Sequence, residues 1–185
     1  MIAEILSSVG NRLSRCELAW HEAGHAVLAA VLGQPIEWVI INEASGYGEV
    51  EPNTGPFFRL EEPFESRRRF LIAMAGSVAQ CLTVGCEYRW MPGSDVDKQR
   101  AEDYANLAGL RPNDFSMALA ILSRPDVWEK VERLAGALLE CDQLFAWIGL
   151  AEFLPEVDPR AWEMVGISPS WSSNKTRSIT EFPAV

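Results

Sequence analysis

Five consecutive residues, His21-Glu22-Ala23-Gly24-His25, carry the strongest chemical signal in the chain. Histidines four positions apart fall on one face of a helix, with Cβ atoms about 5–6 Å apart. Both imidazoles can then reach one Zn²⁺ at Zn–N distances of about 2.0–2.1 Å. The glutamate between them lies beside the position a water would take. That is the arrangement of a zinc-activated hydroxide with a carboxylate general base: His21 and His25 are candidate ligands and Glu22 the candidate catalytic residue. The plain alternative is a pair of core histidines. These are, however, the only two histidines of the chain, and both fall in the motif.

A catalytic zinc takes three protein ligands and keeps one position open. With the histidines used up, the third ligand is an Asp, Glu or Cys. Asp95 and Asp97 stand at the start of a helix expected over about 94–108. Ala101, Tyr104, Ala105 and Ala108 form its small apolar face, and one turn back from Ala101 is Asp97. Helical phase therefore turns Asp97 inward and Asp95 outward, where its charge suits the helix dipole. The competing role for Asp97 is as the acid of a capping box begun by Ser94. Cys16, Cys81, Cys86 and Cys141 show no C-x₂-C pairing and read as reduced, mostly buried thiols of a cytosolic protein.

The motif has this meaning only on a helix. Ser14 and Glu17 make an S-x-x-E capping box, and Leu18, Leu28 and Leu32 continue the stripe of His21 and His25. Gly33 and Pro35 end the helix, which is expected over 15–32. Residues 1–13 are a weak candidate for a lead-in helix. Ile36 to Ile41 reads as a strand, and Gly48 to Glu51 as a second, polar strand, so a small hairpin or sheet is expected beside the motif helix. A long helix follows Pro63, with Phe64, Arg67, Phe70, Leu71, Met74, Ala75, Val78 and Leu82 at helical spacing and Gly85 at its end. The small residues Ala73 to Ser77 suit a close approach by another helix. Further helices are expected over about 113–123, over about 125–140 starting at Pro125, and from Asp142 to about 153. The segment 155–185 shows no period and reads as a loosely docked or disordered tail behind a domain of residues 1–154.

A net charge of −10 disfavours nucleic acid and anionic membrane surfaces as partners. No run of about 18 apolar residues exists, so no membrane span is expected. The N-terminus carries Glu4 and no basic region, so no signal peptide is expected and a cytoplasmic location is.

The chain resembles the peptidase domain of FtsH, the AAA-linked zinc protease family, over most of 15–150. Ala19 to Val27 is similar to the family's motif helix, Gly46-Tyr47 to its substrate-side strand, and Ala75 to Gln80 to its alanine-glycine helix. Gly93 to Asp97 aligns without a gap to the segment that carries the family's aspartate ligand, which falls on Asp97, and Leu134 to Leu139 is similar to a late helix. Ser77 and Gln80 stand where the family has arginine and glutamate, and no G-x-x-x-x-G-K-[ST] occurs. The resemblance implies a mainly α, zincin-like fold and zinc-dependent hydrolysis of peptide bonds. A stand-alone relative without the AAA motor implies flexible or unfolded substrates or a separate ATPase partner, with a homo-oligomer suggested by the family. Tyr47, Tyr88 and Tyr104 are candidates for stabilising the oxyanion, and Trp38 and Trp90 for lining a cleft. The rival expectation is a catalytically silent zinc module that acts by binding other proteins.

Overall fold

The computed structural model describes residues 13–42, 47–52, 63–87, 89–146 and 149–166, and every structural statement here concerns them. The lead-in helix over 1–13, all but its last residue, lies outside them. The chain is mainly helical, with six α-helices and a small three-stranded antiparallel sheet.

Helix α1 spans Arg15–Val31. Its start is the expected capping box: the Glu17 N–H donates to Ser14 Oγ, and the Ser14 N–H donates to Glu17 Oε2 at 2.8 Å. Every residue from Leu18 to Val31 except Trp20 is buried. A helix apolar almost all round is one surrounded by other elements, and α1 is the centre of this fold. Strands β1 (Ile36–Asn42) and β2 (Tyr47–Pro52) form the expected hairpin, with Val39 opposite Val50 and Ile41 opposite Gly48. Val39 and Ile41 point into the core, while Trp38 and Ile40 are half-buried on the other face.

Helix α2 (Phe64–Val84) lies along α1. Gly24 of α1 allows that approach, since a Cβ there would lie 2.6 Å from the Ala79 Cβ and 2.7 Å from the Ala75 carbonyl oxygen. At the N-terminal end of α2 the buried residues are Glu65, Ser66 and Arg68 rather than Arg67, which is half-buried. Helix α3 spans Asp95–Ala108, α4 Ser116–Leu122 and α5 Pro125–Glu140. Val127, Val131, Leu134 and Leu138 of α5 form a fully buried stripe toward α1. Arg15 of α1 donates to the Leu139 carbonyl at 3.0 Å and pairs with Asp142, closing the end of α5.

Two stretches differ from expectation. The segment after Asp142 is not a helix: Gln143–Phe145 forms β3, which pairs with β1 and makes the sheet order β2-β1-β3, followed by one 3₁₀ turn at Leu150–Glu152. The reason is the second edge of β1, whose backbone groups need partners that a helix at 142–145 could not supply. The tail reading from 155 differs as well. Helix α6 (Pro159–Met164) is capped by Asp158 and buries Ala161, Trp162 and Val165. Trp162 lies against Gly33, and Arg67 donates to the Val165 carbonyl at 2.7 Å. Residues 167–185 lie outside the described chain.

Candidate metal centre

His21 and His25 project from the middle of α1 toward α2, and both rings are buried. The His21 Nδ1–H donates to Gln80 Oε1 at 3.0 Å, and the His25 Nδ1–H donates to the Ile72 carbonyl at 2.6 Å. The Gln80 amide is oriented by its NH₂, which donates to the Glu17 carbonyl at 3.4 Å. With both Nδ1 atoms protonated, both Nε2 atoms carry lone pairs, the tautomer that binds metal.

The two Nε2 atoms lie 3.0 Å apart. Asp97 Oδ2 completes the group, 2.9 Å from His21 Nε2 and 3.3 Å from His25 Nε2. Three acceptors thus converge with no donor among them, which a proton or a metal cation must offset. Donors at about 2.0–2.1 Å from a tetrahedral zinc are about 3.3 Å from one another, so the group fits that ion with small adjustments. His21, His25 and Asp97 are the one group of candidate ligands among the described residues, and Asp95 is exposed.

Charge follows the geometry in the metal-free chain. Burial opposes ionisation of Asp97, but both histidines outweigh it and hold the carboxyl well below the usual carboxylate range. Burial also opposes a charged His25, yet the Asp97 carboxylate and the Ile72 carbonyl raise its pKa overall. Burial pushes the Glu22 carboxyl up to about 8; His21 pulls it down, while Asp97 and Glu49 push it further up. Glu22 lies against β2, where a Cβ on Gly48 would come within 2.7 Å of the Glu22 Cδ.

Helix α2 forms the wall behind the imidazoles. Ile72, Gly76 and Gln80, four residues apart, lie on one line along it. Gly76 is the decisive position: a Cβ there would sit 2.5 Å from both Nε2 atoms, closer than a side-chain carbon can approach them. Gly76 therefore has no room for any side chain if a metal is to bind.

Asp97 arrives on the first turn of α3, where the helix dipole favours its charge. Ser94 does not form the capping box considered above, because its side chain makes no cap bond. It is buried, and its Oγ accepts from the Ser77 hydroxyl at 2.9 Å. The Met91 N–H donates to Ser77 Oγ at 3.2 Å, so Ser77 ties the loop before α3 to α2. Arg100, one turn past Asp97, lies 3.9 Å from the carboxylate oxygen turned away from the histidines.

Gln80, the Ile72 carbonyl, Gly48 and Arg100 were not assigned to the site from sequence. The spacing of Gln80 from Gly76 was the available signal; the others depend on how separate elements pack. Of the tyrosine candidates, Tyr104 is two turns from Asp97 and takes a hydrogen bond from Arg69 at 3.5 Å. The Tyr47 side chain and Tyr88 lie outside the described residues. Trp90 packs edge-on against Phe115 and donates to Asn113 at 2.9 Å, so its ring serves packing; Trp38 stays half-buried on the outer sheet face. No described helix is long and apolar enough to cross a membrane. No protein-family model matches the chain, and no curated protein matches it either.

Proposed function

We propose that the chain is a zinc-dependent metallopeptidase that hydrolyses peptide bonds in flexible or unfolded proteins. The observation that carries this reading is the convergence of His21 Nε2, His25 Nε2 and Asp97 Oδ2, with the buried Glu22 carboxyl beside them on the same helix. Three candidate ligands among the described residues, rather than four, suit a catalytic site more than a structural one. Zinc held by these residues supplies a Lewis acid and lowers the pKa of a water toward about 7.

Glu22 takes the proton of the attacking water and passes it to the leaving nitrogen. Gln80 and the Ile72 carbonyl hold the imidazoles in the ligating tautomer. Strand β2 is an edge of the sheet and lies against Glu22. An extended peptide added along that edge would lay its backbone beside the reacting groups. The likeness of the 19–27, 75–80 and 93–97 segments to FtsH peptidase domains supports the same activity, with unfolding left to a separate ATPase. Zinc-loaded Glu22→Gln protein is expected to keep its metal and to cleave casein or peptides about 10²–10⁴-fold more slowly than wild type. Equal rates would contradict the mechanism.

The second reading is a silent zinc module acting as a protein-interaction domain. Ser77 and Gln80, where the family has arginine and glutamate, favour it. Metal retention without turnover of any unfolded substrate would select it.

A further inference from the structure

Cys81 and Cys86 lie at the far end of α2, outside the metal centre. Around the left-handed Gly85, the Cys86 N–H reaches back to the Cys81 carbonyl at 3.2 Å. This helix ending brings the side chains of residues five apart to the same end of the helix. Both are free, Cys81 buried and Cys86 half-buried.

The Cys81 thiol also holds the next stretch of chain. Its S–H points to the Glu87 carbonyl at 3.5 Å and the Arg89 carbonyl at 3.8 Å. The same stretch continues into Met91 and Ser94, tied to Ser77, and then into Asp97. Cys81 is thus one of two α2 side chains that fasten the loop delivering the third ligand.

We propose that Cys81 and Cys86 form a thiol pair that a hydroperoxide closes to a disulfide, loosening the loop that carries Asp97. Its second half rests on the metal reading above. Burial pushes the Cys81 thiol up to about 11, so the half-buried Cys86 is the group that meets the oxidant. The Cys86 thiolate attacks a peroxide oxygen and breaks the O–O bond, leaving Cys86 as a sulfenic acid and releasing hydroxide. The Cys81 sulfur then gives up its proton and displaces hydroxide from the Cys86 sulfur. In balance, two thiols and one hydrogen peroxide give one disulfide and two waters. The Cys81 S–H no longer exists, and its bonds to the Glu87 and Arg89 carbonyls are lost.

The test uses the full chain carrying Cys16→Ser and Cys141→Ser, which removes the two exposed thiols. After hydrogen peroxide, non-reducing peptide mapping is expected to show Cys81 linked to Cys86, with the peptide that carries both about 2 Da lighter than its free-thiol form. Cys86→Ser should abolish the link. Zinc affinity, measured by chelator competition, should fall about tenfold on oxidation and recover with dithiothreitol. Cys86 carried to sulfinic acid with Cys81 still free would overturn the proposal. A complete link with unchanged zinc affinity would overturn the coupling to Asp97. A reduced chain that binds no zinc would instead sink the metal reading, while the mapping still decides the thiol pair.

Discussion

Near its N-terminus, α2 buries Glu65 against Arg68 and Arg69, each 2.6 Å from a different carboxylate oxygen. Two turns further along, the same helix backs His21, His25 and Asp97, where three acceptors face one another. In the first cluster each charge meets its opposite, and the Arg69 guanidinium also rests on the Tyr104 ring. In the second, the one neighbouring guanidinium among the described residues is Arg100, exposed and 3.9 Å away. Both clusters are expensive to bury. Only the second is arranged so that a cation from outside the chain would lower its energy. That contrast separates an ion pair that joins elements from a group of residues built to hold something.

The contrast breaks most sharply at Gly76. Gly76→Ala puts a methyl group against both Nε2 atoms, and zinc binding should fall by more than the ~100-fold of a typical outer-shell change, while the fold persists. Titration with a fluorescent zinc chelator would show it. Arg68→Ala attacks the other cluster by removing its buried guanidinium and leaving Glu65 with Arg69 alone. It should cost about 1–3 kcal/mol in urea unfolding, with zinc stoichiometry of the folded protein unchanged. Loss of zinc in folded Arg68→Ala would show that the clusters are not independent. Gln80→Ala frees the His21 ring and should weaken zinc about 10–100-fold in the same chelator assay.

A further effect is on pH dependence. In the metal-free chain the folded Glu22 carboxyl keeps its proton up to about 8, whereas the unfolded one loses it near 4.5. The folded state therefore binds more protons between these values, and stability falls as pH rises from about 5 to about 8 by up to ~1.4 kcal/mol per unit. His25, also raised, contributes in the same sense: its share is present below 6.5 and is lost as pH climbs through its folded value. Asp97, held low, matters only in acid, where its contribution is lost as pH drops. Thermal unfolding of chelator-treated protein at pH 5, 6, 7 and 8 should show the decline, and Glu22→Gln should flatten it.

Much of this was legible in the sequence because it is local. The Ser14–Glu17 box, the histidine spacing and the phase that turns Asp97 inward are all consequences of one helix repeat. The mainly α fold with a hairpin beside α1 follows from periodicity and from the β-branched run at 36–41. What escaped depends on distant contacts. The three residues of β3 are too few to carry a period; they form a strand because β1 has an edge to cover. The six residues of α6 look like tail until Trp162 meets Gly33 and Arg67 meets Val165. Arg67 shared the apolar spacing of α2, yet Arg68 is the buried residue because Glu65 lies one turn behind it.

The most direct measurement is the metal content of protein purified without chelator, wild type beside Asp97→Ala and Asp95→Ala. The account expects about one zinc per chain in wild type and Asp95→Ala, and a loss in Asp97→Ala. A wild type without zinc, or an Asp97→Ala protein that keeps it, would contradict the assignment of His21, His25 and Asp97 as a metal site.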